Sequence, residues 1–156
     1  MVDLGSGGGL PGLPLLIARP DVRWVFIEAG ERRSQWLQEA IELVGAETRA
    51  EVRPERAELS GRGDLREEVD AVVARSFGPP GVLAECAAPL LRVGGWLWAA
   101  EPPEPLADRW PVPGLAELGF GETTERVPSW KGLRKDSATP DRYPRRVGIP
   151  MKRPIF

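Results

Sequence analysis

The sequence predicts an α/β fold in which a doubly wound, mostly parallel sheet of the Rossmann type carries helices on both faces. The first observation is a glycine-rich loop at residues 3–12, between a short apolar strand and an apolar helical run. The second is the alternation of strand and helix patterns over residues 1–100, which is typical of parallel βαβ units. The third is the composition, 42% hydrophobic and 28% charged among 156 residues, which suits one globular domain with a buried core.

The first third of the chain predicts three strands and two helices. The glycines let the backbone turn sharply after the first strand. A short aromatic and β-branched run is typical of a second, buried strand. Apolar residues then recur at helical spacing until Gly45, which stops the helix. The predicted strands are residues 1–4, 24–27 and 47–53, and the predicted helices are residues 13–18 and 31–44.

The middle of the chain predicts a loop, two more strands and one helix. Residues 59–68 are charged and contain glycines, which favours a loop with a short helical turn. Two adjacent prolines, Pro79 and Pro80, mark the start of a helix. Gly94 and Gly95 predict a turn before the last parallel strand. The strands are predicted at residues 69–75 and 96–100, and the helix at residues 82–88.

The chain after residue 101 differs in composition from the part before it. It holds ten of the 17 prolines, which disfavours central strands and long helices. Residues 120–127 predict an edge strand. From Ser129 onward the chain is basic and proline-rich, and we expect an extended arm with little regular structure, ordered only if it packs along the domain. We therefore divide the chain into a nucleotide-binding domain at 1–128 and a C-terminal arm of that domain at 129–156.

Charge is distributed unevenly along the chain. Residues 131–156 carry eight Lys or Arg and two acids, a net charge of +6, whereas the remainder has 13 Arg, no Lys and 21 acids, a net charge of −8. A basic arm on an acidic body indicates a polyanionic partner such as nucleic acid. The alternative is a solvated surface arm without a partner.

The absence of histidine excludes several kinds of chemistry. A chain with no histidine cannot use a histidine general base, a Ser-His-Asp triad or histidine metal ligands. Cys86 is the only cysteine, so it cannot form an internal disulfide or, with histidine, a zinc site. We therefore expect no metal. We also expect no membrane span and a cytoplasmic location.

The glycine loop is compatible with two ligand classes. Gly7, Gly9 and Gly12 satisfy the dinucleotide fingerprint, with Glu28 as the acid that binds ribose hydroxyls. Asp3, Gly5 and Gly7 satisfy the pattern usual in S-adenosylmethionine methyltransferases. Asp3 and the small size of the chain favour the methyl donor, because a dehydrogenase needs a substrate domain and usually an acid or base. A nucleotide-binding oxidoreductase and a non-catalytic nucleotide-binding module stay open at this point.

Several segments together resemble the 16S ribosomal RNA guanine-N7 methyltransferases, the family also called glucose-inhibited division protein B. The similarity covers nearly the whole chain. The segments are the loop at residues 3–14, Glu28 with Arg32 and Arg33, Arg56-Ala57-Glu58, residues 74–77 (Ala-Arg-Ser-Phe), residues 142–150 (Arg-Tyr-Pro-Arg-Arg-Val-Gly-Ile-Pro) and residues 152–154 (Lys-Arg-Pro).

This resemblance implies a class I methyltransferase fold and transfer of a methyl group from S-adenosylmethionine to guanine N7 in 16S rRNA or the small ribosomal subunit. Arg75 would lie near the transferring methyl group as the catalytic residue. Its alternative is a structural ion pair with Asp70 or Glu101. The residues implied for donor binding are Asp3, Gly5, Gly7, Leu10, Glu28, Ala57, Glu58 and Arg75. Those expected to bind RNA are Arg142, Arg145, Arg146, Lys152 and Arg153.

The chain departs from the family pattern in two places. Family members usually carry a helical region before the first strand, whereas here the first strand begins at Met1, so either the start has been trimmed or the protein lacks that region. Residues 129–135 offer little for a buried strand, so we expect the final hairpin to be shortened or missing. The second hypothesis is therefore a degenerate relative that binds S-adenosylmethionine or RNA without catalysis. We expect a monomer in either case.

Overall fold

The computed structural model describes residues 1–103 and 109–156, which form seven strands and six helices. The strands all belong to one sheet: β1 (Val2–Leu4), β2 (Trp24–Ile27), β3 (Ala50–Arg53), β4 (Val69–Ala74), β5 (Leu91–Ala100), β6 (Phe120–Val127) and β7 (Trp130–Lys135). The helices are α1 (Gly12–Ala18), α2 (Glu31–Leu43), α3 (Ala57–Ser60), α4 (Pro80–Ala87), α5 (Val112–Glu117) and α6 (Ile149–Lys152). Among these, none is long and apolar enough to cross a bilayer.

The sheet confirms the predicted doubly wound, mostly parallel fold. Its strand order is β3-β2-β1-β4-β5-β7-β6. The first five strands are parallel, and β7 is antiparallel to both of its neighbours. The order reverses between β1 and β4, which opens a crevice outside the carboxyl ends of these strands. The fold therefore places a ligand site where the glycine loop leaves β1.

Apolar side chains pack on both faces of the sheet. On one face, Leu37 and Ile41 lie one helical turn apart on α2 and pack, fully buried, against Trp24 and Phe26. On the other face, α4 packs against β5 and α5 packs against the edge strand β6. Each buried Leu, Ile or Phe contributes about 1.5–3 kcal/mol to the free energy of unfolding. Helical spacing alone does not bury a residue, however, because Trp36 on α2 is 47% exposed.

The glycine pair at residues 94 and 95 lies within a strand, where the sequence predicted a turn. β5 begins at Leu91, five residues before the predicted start, and its pairing with β4 shifts register between Val69 and Ala71. Gly94 has a φ of +88°, which glycine adopts without steric cost. A Cβ at Gly95 would lie 2.9 Å from the carbonyl oxygen of Asp70. The two glycines thus lie in an irregular stretch of β5, on either side of which the strand is paired with β4.

The expectation of a shortened or missing final hairpin is wrong. Over Trp130–Lys135 the basic arm is a strand, and it pairs with the eight-residue edge strand β6 and with β5. Gly132 makes this possible, because the Trp98 ring of β5 lies where a Cβ would be, 2.8 Å from its position. Leu133 and the Lys135 side chain are fully buried. A buried lysine is rare, so the residue types concealed this strand.

The arm after β7 is ordered along the domain. Arg62 donates to the carbonyl oxygen of Pro144 at 2.8 Å, and Arg66 donates to that of Tyr143 at 2.9 Å. Phe156, the last residue, packs against two glycines. A Cβ at Gly81 would lie 2.7 Å from the carbonyl oxygen of Phe156, and a Cβ at Gly114 would lie 2.2 Å from Cδ1 of its ring. The arm therefore packs against the helical face that holds α3, α4 and α5.

Candidate functional site

Asp3, in β1, holds the glycine loop through hydrogen bonds. The backbone N–H of Gly12, the first residue of α1, donates to Oδ2 of Asp3 at 2.9 Å, and the hydroxyl of Ser6 donates to the Asp3 carbonyl at 2.8 Å. Asp3 is only 1% exposed. Burial raises the pKa of Asp3 to about 6, against the lowering effects of the Gly12 N–H and the positive charge of Arg75. Asp3 thus orients the loop and the start of α1.

Glu28 holds the loop from the side. Its carboxylate accepts hydrogen bonds from the backbone N–H groups of Gly7 at 2.9 Å and Gly30 at 2.7 Å, and from the guanidinium of Arg33 at 2.7 Å. Burial opposes the negative charge of Glu28, but these three donors outweigh it and keep the pKa below its ordinary value. A carboxylate has about four lone-pair positions, so Glu28 can accept one further hydrogen bond.

A cavity of about 430 Å³ opens at the carboxyl ends of the strands, where the strand order reverses. Its size suits a nucleotide-sized ligand. It brings together seven of the residues that the sequence implied for donor binding: Gly5, Gly7, Leu10, Glu28, Ala57, Glu58 and Arg75. Asp3 does not line the cavity and lies beneath the loop instead. We therefore infer that Asp3 supports the glycine loop and does not contact the donor. Direct contact with the donor stays a prediction for the other seven residues.

Glu58 joins the cavity to the C-terminal arm. This residue of α3 is 8% exposed, and its Oε1 accepts a hydrogen bond of 2.8 Å from the backbone N–H of Gly148. Gly148 has a φ of +79°, which favours glycine, and it precedes α6. Gly148 and Met151 both line the cavity. The arm thus forms one wall of the site.

The segment after β4 forms another part of the cavity lining. Ser76 adopts a φ of +57°, an uncommon conformation for a non-glycine residue, and lies between Arg75 and Phe77. The Phe77 ring lies so near Gly5 that a Cβ there would be 2.5 Å from Cδ2. Strained backbone of this kind is concentrated at functional sites. Gly5 is therefore required by close packing as well as by its φ of +69°.

Arg75 does not make the structural ion pair that was its alternative. Asp70 pairs with Arg92 at 2.6 Å, and Glu101 pairs with Arg109 at 2.9 Å. Arg75 is exposed, lines the cavity, and has no carboxylate within 4.0 Å among the side chains of residues 1–121 (without 104–108) and 124–156. Its guanidinium is thus available to an anionic group.

The arm residues predicted to bind RNA fall into two groups. Arg142 pairs with Glu117 at 3.1 Å, and Arg145 pairs with the fully buried Glu85 at 2.6 Å. Both guanidiniums are therefore engaged within the protein. The other three are exposed and have no ion pair within the described ranges: Arg146, Lys152 and Arg153.

Sequence reasoning did not identify the arm as a wall of the cavity. Gly148 and Met151 carry no charge and follow no motif of a binding loop, and they lie 90 and 93 residues after Glu58. Glu85 was also missed, because a lone glutamate in an apolar helix gives no sign of its buried partner. The single available signal was the glycine between Val147 and Ile149, which predicts a turn.

Comparisons with known proteins point to one family. Residues 1–102 match the family model GidB, described as rRNA small subunit methyltransferase G. The chain is 37% identical to the ribosomal RNA small subunit methyltransferase G of Pelotomaculum thermopropionicum, over 99% of this chain and 69% of the relative. It is 36% identical to the protein of that name from Rubrobacter xylanophilus, over 99% of this chain and 64% of the relative. The chain thus spans about two thirds of the length of these relatives.

Solved structures share the fold at lower identity. A 16S rRNA (adenine(1408)-N(1))-methyltransferase mutant from Catenulisporales acidiphilia superposes with a TM-score of 0.66 at 18% identity, over 89% of this chain and 84% of that one. The antibiotic-resistance methyltransferase Kmr superposes with a TM-score of 0.61 at 19% identity, over 88% and 86% of the two chains. At these identities the likeness is one of fold.

Proposed function

The chain belongs to the rRNA small subunit methyltransferase G (GidB) family, and on this premise we propose that it transfers a methyl group from S-adenosylmethionine to N7 of a guanine in 16S rRNA. The observation that carries the proposal is the cavity beside the glycine loop. It joins two buried carboxylates, Glu28 and Glu58, to the exposed guanidinium of Arg75. The proposed substrate is 16S rRNA or the small ribosomal subunit in the cytoplasm, and the proposed active form is a monomer.

The cavity residues fit the chemistry of S-adenosylmethionine. This molecule presents ribose hydroxyls, an adenine amine, a methionine carboxylate and a positively charged sulfonium. Glu28 has acceptor capacity left for ribose hydroxyls, and Glu58 can accept a hydrogen bond from the adenine amine. Gly7 presents backbone without a side chain beside Glu28, and no atom lies within 3.8 Å of a Cβ there, so a ligand can approach closely. Buried carboxylates also complement a cationic ligand.

Each wall of the cavity takes a distinct part of the donor in this proposal. Glu28 at the end of β2 orients the ribose, and Ala57 with Glu58 at the start of α3 contacts the adenine. The loop residues Gly5, Gly7 and Leu10 line the path between β1 and α1. Arg75, at the end of β4, holds an anionic group near the reacting atoms, either the methionine carboxylate or an RNA phosphate.

The proposed reaction does not need the histidine that the chain lacks. Guanine N7 carries a free lone pair on the major-groove edge of the base, so no proton is removed before it reacts. When bound, S-adenosylmethionine supplies an electrophilic methyl group on its sulfonium. The protein's contribution is therefore to position the base in line with that group and to exclude water. In this proposal Arg75 does not donate a hydrogen bond to N7, because that bond would occupy the nucleophilic lone pair.

The proposal is tested in cells that lack the gene. Mass spectrometry of their 16S rRNA is expected to show the loss of one 7-methylguanosine, which a plasmid copy of the gene restores. Persistence of that nucleoside would contradict the proposal. Calorimetry with S-adenosylmethionine on the purified chain separates the two hypotheses, because a chain that binds the donor without restoring methylation is a non-catalytic relative.

A further inference from the structure

Arginines at the mouth of the cavity carry charge that the protein does not neutralise. Arg56 and Arg75 line the cavity and are exposed. Among the side chains that the structure describes, which leave out 104–108, 122 and 123, neither has a carboxylate within 4.0 Å or a hydrogen bond from its guanidinium to another protein group. Arg56 is the residue before α3, and Arg75 directly follows β4. Two different elements thus direct cations to one opening.

The arm adds cations next to the same opening. Gly148 and Met151 line the cavity, and three cations of the arm lie within two residues of them in the chain. All three are exposed and have no ion pair in the part of the chain that the structure describes. We call Arg56, Arg75, Arg146, Lys152 and Arg153 the basic rim.

Charge is separated by depth in the cavity. The acids Glu28 and Glu58 are 5% and 8% exposed, whereas the rim cations are open to solvent. The acids at the bottom suit hydroxyl, amine and cationic groups. The rim suits anions, because arginine binds phosphate oxygens through two parallel hydrogen bonds. One cavity can therefore hold a cationic nucleoside inside while a polyanion lies across its mouth.

From this separation we propose that the basic rim is the phosphate-binding surface for the RNA, with Arg56, the residue before α3, as one of its contacts. The proposal rests on the proposed function. It differs from the sequence prediction in the residues that bind RNA. Arg142 and Arg145 are left out because Glu117 and Glu85 engage them. A guanine turned out of the RNA would enter the cavity while the adjoining phosphates remain at the rim.

The experiment measures the affinity of the purified chain for transcribed 16S rRNA at several KCl concentrations. The test variant is Arg56→Gln. The matched control is Arg23→Gln, which removes the same charge from an exposed arginine. Arg23 directly precedes β2 and therefore lies at the amino ends of the parallel strands, away from the cavity at their carboxyl ends. Loss of one phosphate contact lowers the slope of log affinity against log salt by about 0.7 for a single strand and about 0.9 for a duplex. Calorimetry with S-adenosylmethionine runs on the same variants.

The proposal predicts that the salt slope falls in Arg56→Gln and stays unchanged in Arg23→Gln. It also predicts an unchanged affinity for S-adenosylmethionine in both variants. Equal slopes in both variants overturn it, and so does a loss of donor affinity in Arg56→Gln without a change of slope. The proposed function fails by a different result, which is a wild-type chain that binds RNA and donor and transfers no methyl group. The salt slopes are measured without turnover. They therefore test RNA binding by the basic rim even if the chain transfers no methyl group.

Discussion

The carboxylate of Glu58 and the backbone N–H of Gly148, 90 residues apart in the chain, meet in a hydrogen bond of 2.8 Å at the wall of the cavity. Glu58 belongs to the helix that follows β3, and Gly148 belongs to the C-terminal arm. The residue proposed to bind the adenine is therefore also the residue that fastens the arm. The proposed function therefore connects donor binding and arm position through this one carboxylate.

Replacing Glu58 is expected to loosen the arm. In Glu58→Ala the Gly148 amide loses a charged acceptor, a bond of about 1.5–3 kcal/mol, so its hydrogen exchange accelerates by about tenfold or more. NMR-detected exchange measures this directly. Glu55→Ala is the control, because Glu55 also lines the cavity but accepts its hydrogen bond from Ser60. Equal exchange at Gly148 in both variants would show that the hydrogen bond does not hold the arm.

Arg145 is expected to stabilise the fold. Arg145→Gln leaves the buried Glu85 without its guanidinium partner, which costs about 3 kcal/mol in the free energy of unfolding. Arg142→Gln, which removes an exposed pair with Glu117, changes that free energy little. Urea unfolding of the two variants provides the comparison. Similar midpoints for both would contradict the structural role of Arg145.

Gly7 is expected to matter for the ligand beyond its backbone conformation. Gly7 and Gly45 both have positive φ, +55° and +64°, and no atom lies within 3.8 Å of a Cβ at either position. Valine at each costs at least about 1–2 kcal/mol of backbone strain. Only Gly7 lines the cavity. We therefore expect Gly7→Val to abolish S-adenosylmethionine binding in calorimetry and Gly45→Val to retain it, and equal loss would indicate strain alone.

Asp3 is expected to make stability depend on pH. Its folded-state pKa is about 6, against an ordinary value of 3.8, so the folded state holds the proton that the unfolded state releases. Stability from this group is full below about pH 4 and declines as pH rises to about 6, by roughly 2–3 kcal/mol. Asp3→Asn removes this dependence. The difference in unfolding free energy between wild type and variant should therefore change across pH 4–6.5, and a constant difference would contradict it.

Local patterns along the chain predicted the parallel strands and the antiparallel edge strand β6. The bounds of β2 and β6 agree with the predicted ones, and the glycine loop lies at the predicted corner. These elements carry their own signals, such as β-branched runs and turn residues. Trp130–Lys135 could not be predicted in that way, because Gly132 and Lys135 are suited to the strand only through Trp98 and the surrounding core. Tertiary context outweighed propensity there.

The candidate site shows the same division. Residues in motifs, such as Gly5, Glu28 and Arg75, line the cavity as the sequence implied. The charge of Arg145 was visible in the sequence, but its buried partner Glu85 was not, because a pairing across 60 residues leaves no local pattern. Charge alone therefore could not distinguish an arginine that is free to bind RNA from one that is held within the protein.

Methyl transfer by the purified chain tests the central proposal most directly. S-adenosylmethionine with an isotopically labelled methyl group is incubated with transcribed 16S rRNA or with small ribosomal subunits from cells that lack the gene, and the nucleosides are analysed by mass spectrometry. We expect the label in 7-methylguanosine at one site with the wild-type chain, and none with Gly7→Val. Label on another atom, or none in the RNA although calorimetry shows the donor bound, would contradict the proposal.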